Sequence, residues 1–226
     1  MVKRTKEDAL KTRQLLIDTA ILTFSQQGFS GTSLDDIAHA AQVTRGAIYW
    51  HFENKSQLFN AIWQEQLPVR DKIADKIKLH VDATAEKILR ETFIEGLRLI
   101  AHDPLEQALV EILYHKCEFT KELTSEKDIR ERLLFNHENV ALMLNRCVKE
   151  NPGFLNCSVE LAIIIIQAYL SGIIKNWLMT DKNFDLDRLA PSFVDGLLAS
   201  LRLTPSAPLN HHSCTSLSPP TSSISP

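Results

Sequence analysis

Between Thr32 and Phe59 the chain reads TSLDDIAHAAQVTRGAIYWHFENKSQLF. Ser33 is a natural N-cap, and Asp36 stands three residues on, in the acidic slot of a capping box. Leu34, Ile37, Ala38 and Ala41 then recur at helical spacing and form one apolar face. Gln42-Val43 interrupts that helix, and Thr44 caps a second one through Arg45, Gly46, Ala47, Ile48 and Tyr49. A helix, a turn of three or four residues and a second helix form the layout in which the second helix can enter a DNA major groove. Thr44, Arg45, Gly46, Tyr49, Trp50 and His51 would face outward. They offer little to a core, and nearly all can bond to phosphates or base edges.

The flanking pattern is helical throughout. A first helix is expected from Lys6 to Gln27, stopped by Gly28. Its Ile17, Ala20, Ile21 and Phe24 face the two short helices, and Phe52, Leu58 and Phe59 close that bundle from below. Asn54 or Lys55 opens a fourth helix running towards Gln66, with a kinked continuation past Pro68. Further helices are expected near 69–80, 84–101, 104–119, 125–150, 158–179 and 187–203. Asp103-Pro104, Asn151-Pro152-Gly153, Asp181–Asn183 and Pro191 mark the connections. The fold class is therefore all-α: a three-helix unit with a helix-turn-helix, plus a larger helical domain. Boundaries fall at 10–70 and 71–204. Residues 205–226 hold seven Ser, five Pro, two Thr and no Asp, Glu, Lys or Arg, the composition of a disordered tail.

Charge and cysteine usage narrow the class. The net charge of −3 argues at first against nucleic acid, but its distribution matters more. Residues 1–56 carry seven Lys/Arg against six Asp/Glu, whereas 57–204 carry eighteen against twenty-two. A local basic patch on an acidic protein can bind DNA because phosphate contacts are short-range at cellular salt. Lys3, Arg4 and Lys6 read either as a basic arm supplementing a groove-docking helix or as a solvated terminus. Four widely spaced cysteines and a charged first segment without an apolar stretch fit a cytoplasmic chain with reduced thiols. The longest uncharged apolar run, Leu161–Ile174, is fourteen residues, short of the roughly 20 a bilayer requires. It reads as a helix buried on nearly every side, and no membrane partner is expected.

The sequence contains no G-x-S-x-G, P-loop, G-x-G-x-x-G or H-E-x-x-H motif, so the chain is not read as an enzyme. His115 and Cys117, two apart on a helix, are poorly placed as a catalytic pair. His211, His212 and Cys214 lie in a tail without fixed geometry. No metal or cofactor is assigned. Val110, Leu113, Tyr114 and Cys117 fit either a pocket wall or ordinary core, and the residues alone favour core. Gln167, a lone amide among isoleucines, needs a ligand or a structural partner. Ile163–Ile166 point all round their helix. They fit either a helix shared with a second subunit across a two-fold axis or the centre of a large monomer.

The pattern T-S-L-x-x-I-A-x-A-A-x-V-T-R-G-A-I-Y-x-H-F-x-x-K-x-x-L resembles the signature of TetR-type transcriptional repressors. Fuller resemblance runs from Thr5 to Leu203. It is nearest to AcrR-like regulators of multidrug efflux pumps, through AIYWHF (Ala47–Phe52), EILYHKCEF (Glu111–Phe119) and NWLM (Asn176–Met179). Gln42 stands where the family usually carries glycine. A left-handed backbone there would cost roughly 1–2 kcal/mol.

The resemblance implies a ligand-responsive repressor that binds a palindromic operator in double-stranded DNA as a homodimer, through the last two helices. Hydrophobic or cationic small molecules would release it. The expected DNA contacts are Lys3, Arg4, Thr32, Ser33, Thr44, Arg45, Gly46, Ala47, Tyr49, Trp50, His51 and Lys55, with Arg45 reading a base. The expected ligand site is Phe93, Leu97, Val110, Leu113, Tyr114, Cys117, Gln167, Leu170, Ser171 and Ile174. The competing reading is an all-α small-molecule-binding protein without DNA-binding activity.

Overall fold

The computed structural model describes residues 6–78, 83–117, 121–133, 136–180 and 182–202. Lys3, Arg4 and the Ser/Pro-rich tail lie outside them. The chain is all-α, and no strand occurs among the described residues.

Helix α1 (Lys6–Gln27) ends at Gly28, whose φ of 77° is the left-handed conformation a C-terminal glycine adopts without a Cβ penalty. Helix α2 (Leu34–Ala40) starts with a complete capping box: Asp36 N–H donates to Ser33 Oγ at 3.1 Å, and Ser33 N–H to Asp36 Oδ2 at 2.8 Å. Gln42 takes the turn with φ 55°. Thr44 Oγ1 then accepts Ala47 N–H at 3.2 Å and opens α3 (Arg45–His51). Asn54 caps α4 (Lys55–Glu65) through Gln57 N–H at 2.8 Å. Leu16, Ile17, Ile21, Phe24, Ile37, Ile48, Phe52 and Leu58 are fully buried between these four helices. Phe24, Phe29, Phe59 and Trp63 form a chain of tilted and edge-on rings with centroids 5.0–6.0 Å apart, an arrangement favoured by the aromatic quadrupole.

Four expectations are corrected. The fourth helix does not continue through Pro68. Proline disfavours helical backbone before it, the C-cap Gln66 is already extended at ψ 132°, and the chain restarts in two short pieces, α5 (Val69–Lys72) and α6 (Ala74–Lys78). The helix expected at 125–150 is two, α9 (Glu126–Leu133) and α10 (His137–Glu150), because Asn136 caps a new N-terminus through Asn139 N–H at 3.0 Å. The helix expected at 104–119 runs as α8 (Pro104–Glu111) and then widens into a π-helical turn, Ile112–Lys116, after which Cys117 is extended. Pro191 lies inside α12 (Leu186–Arg202) instead of ahead of it.

Helix α7 (Ala85–His102) is the axis of the larger domain, packing on α5, α6, α8, α10 and α12. Arg90 clamps α7 to α12 with Nε and Nη2 on the two carboxylate oxygens of Asp195, at 2.6 and 2.9 Å. Lys72 pairs with the buried Glu106, tying α5 to α8. Burial pushes the Glu106 carboxyl upward, and Lys72 opposes that shift. α8 and the π-turn lie directly on α1, so the two domains share one continuous core. Helix α11 (Val159–Met179) packs one side on α10 and α12. It is long and apolar enough to cross a membrane, and it is not buried on nearly every side as expected. Leu161, Ile164, Ala168, Lys175 and Met179 make an exposed stripe, with Gly172 in its line.

Candidate nucleic-acid interface and ligand pocket

The turn and α3 present one outward surface. Arg45 is 72% exposed, as is Trp50. Ser33, Thr44, Gly46 and Tyr49 are also exposed. Arg45 sits 5.4 Å over the Tyr49 ring and places Nε 3.2 Å from Asp35 Oδ1 on α2. Its guanidinium thus has one carboxylate and one aromatic neighbour. His51 is half-buried, its ring edge-on to Trp50 at 4.5 Å.

Three expected contacts are corrected. The Thr32 side chain is buried, and its Oγ1 donates to Gly28 O at 2.8 Å, closing the α1–α2 turn. The Ala47 methyl is buried too, and its N–H is taken by Thr44. Lys55 reaches back over 20 residues and donates Nζ–H to Phe29 O at 2.6 Å and Thr32 O at 2.8 Å, with Nζ 4.4 Å from the Phe29 ring centroid. Burial lowers its pKa. Two of the three ammonium protons are thus taken by the turn. Together with Arg13, His51, Phe52, Gln57 and Asn60, Lys55 lines an open groove of about 850 Å³ beside α4.

In the larger domain Phe93, Leu97, Val110, Leu113, Leu170 and Ile174 are all buried in the core. Tyr114, Cys117, Gln167 and Ser171 are half-buried. The π-turn and α11 bring Tyr114 and Ser171 together. The Tyr114 hydroxyl is fully buried and completes no hydrogen bond among the described residues. Burial raises its pKa, and the neighbouring Ser171 hydroxyl pulls the other way without completing a hydrogen bond. Arg130 lies 4.9 Å over the Tyr114 ring. A buried phenol left unsatisfied costs roughly 1–3 kcal/mol, and π-turns recur at functional sites.

Two links join this region to the reading surface. Phe29 N–H donates to Lys116 O, the last residue of the π-turn, at 3.0 Å. Asn60 on α4 donates to Glu122 O at 3.0 Å and accepts Thr124 N–H at 2.7 Å. Sequence reading missed Asp35, Asn60 and the Lys116 carbonyl. Their partners are distant in the chain, and no local pattern announces them.

An all-α chain with a capped helix-turn-helix, joined through a shared core to a second helical domain, defines a class of one-component transcriptional regulators. Residues 16–62 match the model of the tetR family of bacterial regulatory proteins, and residues 85–203 match the C-terminal region of MAATS-type transcriptional repressors. The chain belongs to the TetR family. It is 48% identical over 198 residues to the probable acrEF/envCD operon repressor of Escherichia coli K12, covering 88% of this chain and 90% of that one. It is 36% identical over 206 residues to the HTH-type transcriptional regulator AcrR of Shigella flexneri, covering 91% and 96%. Among solved structures it is similar to NalD, the secondary repressor of the MexAB-OprM multidrug efflux pump in Pseudomonas aeruginosa. There the TM-score is 0.68 at 28% identity, covering 87% of this chain and 98% of that one.

Proposed function

We propose that this protein is a cytoplasmic repressor of a multidrug efflux operon, binding a palindromic operator as a homodimer and released by hydrophobic, often cationic drug-like compounds. Residues 10–70 form the DNA-reading domain, 71–204 the ligand-binding and dimerisation domain, and 205–226 a dispensable tail. Arg45 reads a base; Ser33, Thr44, Tyr49, Trp50 and His51 meet the backbone, aided by Lys3 and Arg4. The ligand takes the space around Tyr114, Gln167 and Ser171, walled by Phe93, Leu97, Val110, Leu113, Cys117, Leu170 and Ile174. Bulky apolar walls with a few polar groups are the usual make-up of such sites. Dimerisation uses the exposed stripe of α11 together with α12, where Ala168 and Gly172 permit close helix approach.

The observation that carries this reading is the hydrogen-bonded route from the π-turn to the reading surface. A ligand satisfying Tyr114 moves the π-turn. Lys116 O then shifts Phe29, and Phe29 and Lys55 carry the shift to Thr32 and the first turn of α2. The ligand lowers DNA affinity only by its differential affinity for the two arrangements. The test is fluorescence anisotropy of the full chain on the palindrome upstream of its gene, with and without rhodamine 6G. Release at micromolar dye is expected. Operator binding that ignores a range of cationic and neutral aromatic compounds would leave a DNA-binding protein without the proposed response.

A further inference from the structure

Two acids open α2, and only one of them caps it. Asp36 completes the capping box with Ser33. Asp35 takes no part in the cap, and its carboxylate lies beside the Arg45 guanidinium on the next helix, 3.2 Å from Nε. Both side chains are open to water, at 72% and 47% exposure, so the pair contributes little to stability. A carboxylate on a surface that meets phosphate is also unfavourable for binding as such. Its geometry suits another task. Asp35 approaches the guanidinium as an ion pair from the Nε side, which leaves the far edge, the parallel Nη1 and Nη2 donors, available, and that edge pairs with guanine O6 and N7. The Tyr49 ring under the same guanidinium, 5.4 Å away, restrains it from the other side.

We propose that Asp35 is a positioning residue for operator readout: it fixes Arg45 in the orientation that reads guanine and, by its charge, disfavours DNA on which Arg45 finds no guanine. This rests on Arg45 being the base-reading residue. In water the pair is nearly neutral in energy. When the interface closes, water leaves, the local dielectric falls, and both effects grow. Asp35 thereby raises the ratio of specific to non-specific affinity more than it changes either alone.

The experiment is a double-mutant cycle on the full chain: wild type, Asp35→Asn, Arg45→Ala and the double variant. Each is measured against a duplex enriched from a random library by the wild-type protein, against single-base substitutions of that duplex, and against random DNA. Asp35→Asn keeps the shape and the helix start. It should raise affinity for random DNA and lower discrimination at one guanine about five- to tenfold, within the range a bidentate arginine–guanine pair supplies. In the Arg45→Ala background the same substitution should leave discrimination at that base unchanged. If Arg45→Ala lowers discrimination but Asp35→Asn does not, Asp35 is overturned and Arg45 stands. If Asp35→Asn costs the same discrimination with and without Arg45, it acts through α2 and the proposal is wrong. If Arg45→Ala spares discrimination at every base, the reading of Arg45 fails and the role of Asp35 falls with it.

Discussion

Gln42 carries the turn of the helix-turn-helix at φ 55°, a conformation that an L-residue with a side chain adopts at a cost of roughly 1–2 kcal/mol and glycine adopts freely. Gln42→Gly should therefore stabilise the protein by about 0.5–1 kcal/mol, after the extra entropy of glycine in the unfolded chain is subtracted. Denaturant unfolding would check it. A loss of stability would mean that the Gln42 side chain makes a compensating contact. Tyr114 makes the opposite case. Its hydroxyl is buried and completes no hydrogen bond among the described residues, so Tyr114→Phe should leave the unliganded protein as stable or more stable, by up to about 1 kcal/mol. It should at the same time weaken the response to rhodamine 6G. Titration of operator release, alongside thermal melts without dye, separates the two effects. A large fall in melting temperature would show that the phenol has a structural partner instead.

At the scale of elements, the short helices were legible because their instructions are local. Ser33 with Asp36, Thr44 with Ala47 and Asn54 with Gln57 are all three residues apart. Asn136 is equally local, but the helical pattern continues on both sides and hides the break. What could not be read is non-local. Lys55 looks like a phosphate contact in sequence because its carbonyl partners lie 23 and 26 positions away. The salt dependence of DNA binding should hence keep its slope in Lys55→Met, while stability falls by about 1–3 kcal/mol as charged hydrogen bonds are lost. A slope lower by about one charge would restore the phosphate role.

The α7–α12 clamp has its own signature. The Arg90 guanidinium holds the Asp195 carboxyl below its ordinary value. A depressed carboxylate contributes stability above its unfolded pKa and loses it as pH falls through the folded one. The melting-temperature gap between wild type and Asp195→Asn should thus be steady from about pH 5 to 8 and shrink progressively as pH falls below the ordinary carboxylate range. A gap of constant size throughout that acid titration would assign the effect to packing.

On the scale of the whole molecule, an isolated subunit leaves unexplained why the open side of α11 carries large apolar residues on either side of Lys175. Leu161 is 48% exposed, Ile164 61% and Met179 63%. Along a helix of 3.6 residues per turn these three share one stripe with Ala168 and Gly172. A Cβ built on Gly172 meets nothing within 4 Å, so a second helix has room to approach closely. In the dimer reading, the two α3 helices are held at a fixed separation by this contact, and half-site spacing follows from it. Ile164→Glu places a charge in the N-terminal half of the stripe, and two copies would lie in the contact formed across a two-fold axis. It is already solvent-exposed in the subunit, so folding should be untouched and the far-ultraviolet spectrum unchanged. Sedimentation should then report a monomer at micromolar concentration. Affinity for a full palindrome should fall to that for a single half-site, because the two reading helices no longer bind as one unit. A variant that stays dimeric would move the interface off this stripe, to the neighbouring face of α12, without disturbing the assignment of the reading surface.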